Sequence, residues 1–189
     1  MPRASRRRLL ALLAVAAAGC AAPPRRLGAG RASPDAFELR GRLGVRQGDD
    51  GFSGGIFWRH ILGADYVELL NPLGAVQARL RRDAQGAFLE TANGESRREA
   101  DAATLSRAIL GWELPLEALR HWSFGQTAPG SAAQVERDAA GRPTRLLQEG
   151  WEVRYPAWDE ALGVPRRIEL EKPGIRVKLA VASLAEAVP

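Results

Sequence analysis

The sequence predicts a mainly β (α+β) fold: about eleven antiparallel strands curled into a barrel or half-barrel, with two short helices laid across its mouth. Three observations predict it. Apolar and polar residues alternate with period two over most of 37–181; the connections between the alternating runs are short and rich in Gly, Asn, Asp and Pro; and one central segment, 101–125, switches to helical spacing. Parallel neighbours need a crossover of a dozen residues or more, so connections this short imply antiparallel pairing. Eleven strands are enough for a twisted sheet to curl on itself.

The strands come in order. Residues 37–47 put Phe37, Leu39, Gly41, Leu43 and Val45 on one face and Glu38, Arg40, Arg42 and Arg46 on the other, so one face is dry and the other wet. A turn at 47–51 leads into a second strand, 54–60. Residues 66–70 and 75–80 form a hairpin around Asn71-Pro72-Leu73-Gly74, where Pro presets φ and Gly accepts a positive one. That turn carries Leu73 at its tip. A leucine held in water forgoes roughly 1.5–3 kcal/mol relative to burial, so either the loop folds back on the core or the side chain enters something apolar. Strands at 86–91 and 95–99 flank an Asn93-Gly94 turn, a strong hairpin signal. After the helical segment come strands at 133–138, 144–149, 151–155, 167–171 and 175–181, the last placing Ile175, Val177, Leu179 and Val181 on one face.

The interruption reads as two helices. The first runs from a capping Asp101 past Leu105, Ile109 and Leu110 to Gly111; the second, 114–125, has Pro115 in its first turn, Leu116, Leu119 and Trp122 along one side, and Gly125 as terminator. Helices inserted in a meander lie across its concave mouth. Beneath them there is either a packed core or a ligand cavity, and periodicity fits both.

Residues 1–19 are an export signal: Arg3, Arg6, Arg7 and Arg8, then an apolar run of about ten residues, too short to span a bilayer, then small residues. Cys20, the one cysteine of the 189 residues, stands directly after Ala17-Ala18-Gly19 and resembles the acylated cysteine of a bacterial lipobox, although Ala17 occupies a position where leucine is more usual. That resemblance implies cleavage before Cys20, S-diacylglycerol and N-acyl groups upon it, and no other cofactor. Residues 20–35, rich in Pro, Gly, Ala and Arg, read as a flexible tether, and 36–184 as the folded domain.

The signal takes four arginines with it and leaves 23 cations against 22 carboxylates, so the sequence pI near 10.3 does not mark a nucleic-acid surface. Gly51-Phe-Ser-Gly-Gly55 matches the Gly-x-Ser-x-Gly of hydrolases, but Ile56-Phe-Trp58 next to it is strand-like where that motif needs a helix. His60 and His121 lack metal-ligand spacing, and no metal site is expected.

Gly41-Arg-Leu43, Phe57-Trp58, Leu69-Leu-Asn-Pro-Leu-Gly74, Gly111-Trp-Glu-Leu-Pro115, Leu119-Arg-His-Trp122 with Gly125, Gly141-Arg142, Leu147-Gln-Glu-Gly-Trp151, Tyr155 and Val164-Pro165, in that order after a lipobox, resemble the LolB family of outer-membrane lipoprotein receptors over 37–181. The resemblance implies an unclosed barrel whose apolar cavity takes the acyl chains of another lipoprotein from the periplasmic carrier LolA. It implies delivery to the inner leaflet of the outer membrane, with no enzymatic step and no ATP, from a lipid-anchored, periplasm-facing position. It assigns Leu73 to membrane insertion, within Asn71, Pro72, Leu73 and Gly74. The chain departs from the family in a shorter segment before the first strand and in lacking a terminal tryptophan. Candidate lining residues for the cavity are Leu43, Val45, Ile56, Trp58, Leu69, Phe88, Leu105, Ile109, Trp112, Leu116, Leu119 and Trp122. A monomer with no nucleic-acid partner is expected. The alternatives are a lipoprotein of the same cupped shape with another lipid or glycolipid as cargo, and a purely structural β-domain.

Overall fold

The computed structural model describes residues 36–187, which form one eleven-stranded antiparallel sheet and two helices around a single core. Six strands meander outward from the chain's start: β1 (Ala36–Gln47), β2 (Asp50–Ile61), β3 (Ala64–Leu70), β4 (Val76–Asp83), β5 (Gly86–Thr91) and β6 (Ser96–Glu99). Next come α1 (Ala102–Leu110) and α2 (Leu116–Trp122). Then β7 (Ala133–Arg137), β8 (Pro143–Gln148), β9 (Trp151–Asp159), β10 (Val164–Lys172) and β11 (Ile175–Ala185) meander back, until β11 pairs with β1 in the middle of the sheet. The strand order β6-β5-β4-β3-β2-β1-β11-β10-β9-β8-β7 leaves β6 and β7 as its two edges. The helices join those edges and therefore cross the open side.

Alternation decides which face is dry. Phe37, Leu39, Leu43 and Val45 of β1, Ile56 and Trp58 of β2, Val67 and Leu69 of β3, Ala78 and Leu80 of β4, and Ile175, Val177, Leu179 and Val181 of β11 are buried on the concave side. The helices add Leu105, Leu116, Leu119 and Trp122 from above. Aromatic contacts run from the cover to widely separated strands: Phe124 to Phe37 of β1, Trp112 to Phe52 of β2 and Trp122 to Trp151 of β9, with ring centroids 5.4, 6.4 and 6.5 Å apart. Two glycines permit the tight curl. A methyl group at Gly41, next to the register shift in β1, would lie 2.3 Å from the Ala180 carbonyl oxygen, and one at Gly54 would lie 1.9 Å from that of Leu70.

Several elements are longer or shorter than the sequence predicts. β2 begins at Asp50 because Gly51-Phe-Ser-Gly54 continues the ladder with β1, which puts Ser53 in mid-strand and removes the strand-turn-helix setting of a hydrolase nucleophile. β9 and β10 extend past Pro156 and Pro165; the register shifts where Pro165 pairs with Trp158, so no ladder bond is lost to the missing N–H groups in a regular stretch. α2 is shorter than expected, with Pro115 before its first turn. Asp101 caps α1 as predicted, accepting from the Thr104 N–H at 2.8 Å, which holds its carboxyl below the usual carboxylate range. At the chain's end, Leu184 and Ala187 are buried, and the Ala187 N–H donates to the Ala36 carbonyl.

The turns sort into two ends. Those after β1, β3, β5, β8 and β10 lie at one end, which includes Leu73; those after β2, β4, β7 and β9 lie at the other. At the far end the two-residue turn Leu62-Gly63 joins Ile61 to Ala64 with both φ values positive, 52° and 75°. Such a turn suits Asn-Gly. Leucine in the left-handed region carries roughly 1–2 kcal/mol of strain, and this one is 87% exposed, so burial does not offset it. Leu62→Asn should therefore stabilise the domain by about 1 kcal/mol and raise its thermal midpoint by roughly 2–4 °C. A midpoint that stays level or falls in differential scanning calorimetry would mean the turn is unstrained.

Candidate functional site

The Leu73 hairpin is rigid and aimed outward. Asn71 organises it: its side-chain Oδ1 accepts from the Leu73 N–H at 3.0 Å and the Ala75 N–H at 2.9 Å, while its backbone bonds the Ala75 carbonyl and the Gly74 N–H. Gly74 takes φ 87°. With four bonds holding so short a loop, the leucine side chain stands 94% exposed. Of the two sequence readings of Leu73, folding back on the core is excluded.

At the base of that hairpin lies an open hollow of about 580 Å³. Leu69 and Ala78 come from the two strands of the hairpin itself, Phe52 from β2, and Ile109, Leu110 and Trp112 from the end of α1 and the segment after it. A second hollow, of about 690 Å³, opens at the same end between β7 and β10, around Trp151 and Lys172, whose ammonium lies 5.4 Å from the indole ring. The turns after β8 and β10 border it, so both hollows share the end that carries Leu73.

The proposed lining residues divide three ways. Leu69, Ile109 and Trp112 face the hollow beside the hairpin. Leu43, Val45, Ile56, Trp58, Leu105, Leu116, Leu119 and Trp122 are packed together in the core, so beneath the helices the space is occupied by the protein's own side chains. Phe88 faces the other way, a correction to its expected place in the lining: Ala87 and Leu89 are the inward residues of β5, while Phe88 lies on the convex face under the Arg98 guanidinium, 5.7 Å from its ring centre. Three consecutive apolar residues, 87–89, leave the parity of that strand undecided in sequence. Cys20 lies outside the described residues.

A polar cluster at the end opposite Leu73 escapes the sequence reading. Asp65, fully buried on β3, accepts from Trp58 Nε1 and contacts His60 Nδ1, each at 2.8 Å, and its second oxygen meets Arg82 Nη2 at 2.5 Å. His60 is 1% exposed, and its Nε2 lies 2.8 Å from Nη1 of Arg120 on α2. His121, next along α2, has its pKa lowered, first by burial and then by Arg120 and His60. A signal is present in the alternation: His60 shares parity with Ile56 and Trp58, and Asp65 shares it with Val67 and Leu69, so both face inward. No group of three or more metal-ligating side chains occurs among the described residues. Nor does any described helix have the length and apolarity to cross a membrane.

Comparison with known proteins places the chain in a family. The family described as "Outer membrane lipoprotein LolB" matches residues 35–183. An outer-membrane lipoprotein LolB of Thiobacillus denitrificans is 38% identical over 181 residues, spanning 95% of this chain and 97% of that one. One from Azoarcus sp. is 36% identical over 187 residues, spanning 95% and 96%. A LolA superfamily protein of Nitrosomonas europaea superposes with a TM-score of 0.46 at 12% identity, over 82% of this chain and 87% of that one. With a matched segment that runs the length of the sheet and both helices, the chain belongs to the LolB family of outer membrane lipoproteins.

Proposed function

We propose that this protein is a lipid-anchored receptor of the outer membrane, facing the periplasm. It accepts acylated lipoproteins from a LolA-like carrier and passes them to the inner leaflet, as a monomer and without a chemical step or ATP. The single observation that carries the reading is Leu73, fixed outward by Asn71 on the hairpin whose base borders a hollow of mixed lining, with Phe52, Leu69, Ile109 and Trp112 on it beside Gln77, Thr91 and Asn93. A loop built with four hydrogen bonds to hold a leucine in water calls for a use of that side chain. Contact with lipid supplies one, because the side chain regains its burial energy there.

The energetics favour a passive handover. Each buried CH₂ of an acyl chain contributes about 0.8 kcal/mol, so a palmitoyl chain exposed to water costs on the order of 12 kcal/mol. Cargo therefore moves only between apolar linings, and carrier, receptor and leaflet need differ by only a few kcal/mol for the sequence to run downhill. Guest chains enter here by displacing Leu105, Leu119 and Trp122 from the concave face, starting at the hollow where Ile109 and Trp112 stand. The helices are joined to the edges β6 and β7 alone along the chain, so they can lift without unpairing a strand. Acyl groups on Cys20 keep the domain at the surface while Leu73 opens the leaflet.

Three substitutions test the parts separately. Leu73→Glu leaves the fold and cargo uptake intact and blocks delivery from pre-loaded receptor to vesicles; loss of uptake would assign the loop to the cavity. Ile109→Glu puts a carboxylate in the hollow at a half-buried position and cuts uptake of an acylated peptide at least tenfold, since a charge moved into an apolar setting is costly. Undiminished uptake would move the entrance elsewhere. Cys20→Ala abolishes sedimentation with outer membranes, and a variant that still sediments would refute acylation at that residue.

A further inference from the structure

A buried chain of polar groups ties α2 to the sheet, and acyl-chain transport as such does not require it. Burying charge costs free energy unless every member is paired, and an apolar filling would close the core more cheaply. The geometry fixes the protons. A guanidinium only donates, so the His60 Nε2 that lies 2.8 Å from Arg120 Nη1 offers its lone pair, and the imidazole proton sits on Nδ1, donated to Asp65. His60 is therefore neutral when α2 is seated.

We propose that Arg120 and His60 are a latch holding the helical cover on the sheet, and that a proton on His60 releases it and admits acyl chains. The proposal deepens the receptor reading and rests on it. Protonation turns Nε2 from acceptor into donor, so the Arg120 bond is lost and two cations stand 2.8 Å apart. The charged and titratable groups facing His60 are Asp65 and Arg82 from the sheet and Arg120 and His121 from α2; Phe37 of β1, stacked 5.6 Å away, carries no charge. The charge of Asp65 is already shared with Arg82, whose Nη2 lies 2.5 Å from its second oxygen. One carboxylate would face three cations. His121 is a poor trigger, since among the described residues its ring meets only the neighbouring Arg120 of the same helix, at 3.4 Å, and a proton on it breaks no tie to the sheet.

Relief falls on one side only. The other polar tie of α2 to the sheet, Trp122 Nε1 to Gln148 Oε1 at 3.0 Å, does not titrate. Acid therefore frees the side over β2 and β3 while the side over β8 stays tied. The closed form is favoured while His60 Nε2 offers its lone pair to Arg120 and loses that advantage once the ring carries a second proton. Arg120 and His60 are positioning residues in this scheme.

The test is uptake of a fluorescent tripalmitoyl-cysteinyl peptide between pH 8 and pH 5 by the chain from residue 20 onward carrying Cys20→Ala, which contains the whole described sheet and core. Circular dichroism confirms folding at each pH. Uptake should quicken about tenfold on acidification, the scale of losing one hydrogen bond to a charged group. His60→Gln retains an acceptor for Arg120 and a donor for Asp65 without titrating, so its uptake should stay slow and flat. His121→Gln should keep the parent profile, and Arg120→Leu should be fast at every pH. A parent profile without slope, or a His60→Gln profile that still rises, overturns the latch. If Arg120→Leu fails to fold, the His60→Gln profile decides alone. Absence of uptake in every variant at every pH overturns the receptor reading, and the latch with it.

Discussion

The constraint on which the structure depends is that the chain must travel from one edge of its sheet to the other. β6 and β7 are the unpaired edges, and 100–132 is the only covalent route between them. A polypeptide crossing the concave side of a curled sheet passes over a wide apolar surface. It has to satisfy its own backbone hydrogen bonds while doing so, and helices do this within the segment. Leu105, Leu116, Leu119 and Trp122 are consequences of the crossing, because a helix lying over Trp58, Leu43 and Ile56 must be apolar on its lower side. The cover is thus a strap fixed at both ends, and its displacement is limited to lifting and tilting.

That arrangement makes the cavity conditional. In the state described, the strap's side chains fill the space and pack into the same apolar core as the concave faces of the strands. A guest chain and the strap compete for the same concave surface, so the free energy of uptake is a difference between two similar apolar contacts. Such a difference is small, as a transfer step without an energy source demands: a lining always open to water would favour the guest too strongly to release it. The packed interior and the transport reading are compatible on this account, because the rim at Phe52, Ile109 and Trp112 stands open while the core behind it is filled.

Much of the sheet is legible in sequence because its two faces differ so sharply. Strict alternation in 37–47 and 175–181 and the Asn93-Gly94 and Asn71-Pro-Leu-Gly74 turns determine register and order with little competition. What resists is chemistry that alternation does not carry. The apolar run 87–89 lets Phe88 be read as inward, although Ala87 and Leu89 hold the inward parity. The prolines at 156 and 165 hide the outer parts of β9 and β10, since their irregular pairing is a tertiary matter. Asp65, His60, Arg82 and Arg120 are 5 to 60 residues apart along the chain, and their meeting depends on the curl of the sheet and the seat of α2, neither of which any local pattern encodes.

Two leucines stand in water at opposite ends of the barrel, and the difference between them says what exposure means. Leu62 occupies a tight turn whose backbone it strains, and no side-chain hydrogen bond holds that turn among the described residues. Leu73 occupies a longer loop in which Asn71 spends its side-chain oxygen on two N–H groups, Pro72 restricts φ, and Gly74 takes the positive φ that would strain another residue. The first tip is tolerated by the fold, whereas the second is built by it. Pre-organisation matters for a side chain that must enter lipid, because a floppy loop would give back in lost conformational freedom much of what one leucine gains by burial. Rigidity around an exposed apolar residue, more than the exposure, is the structural sign of a lipid-directed tip.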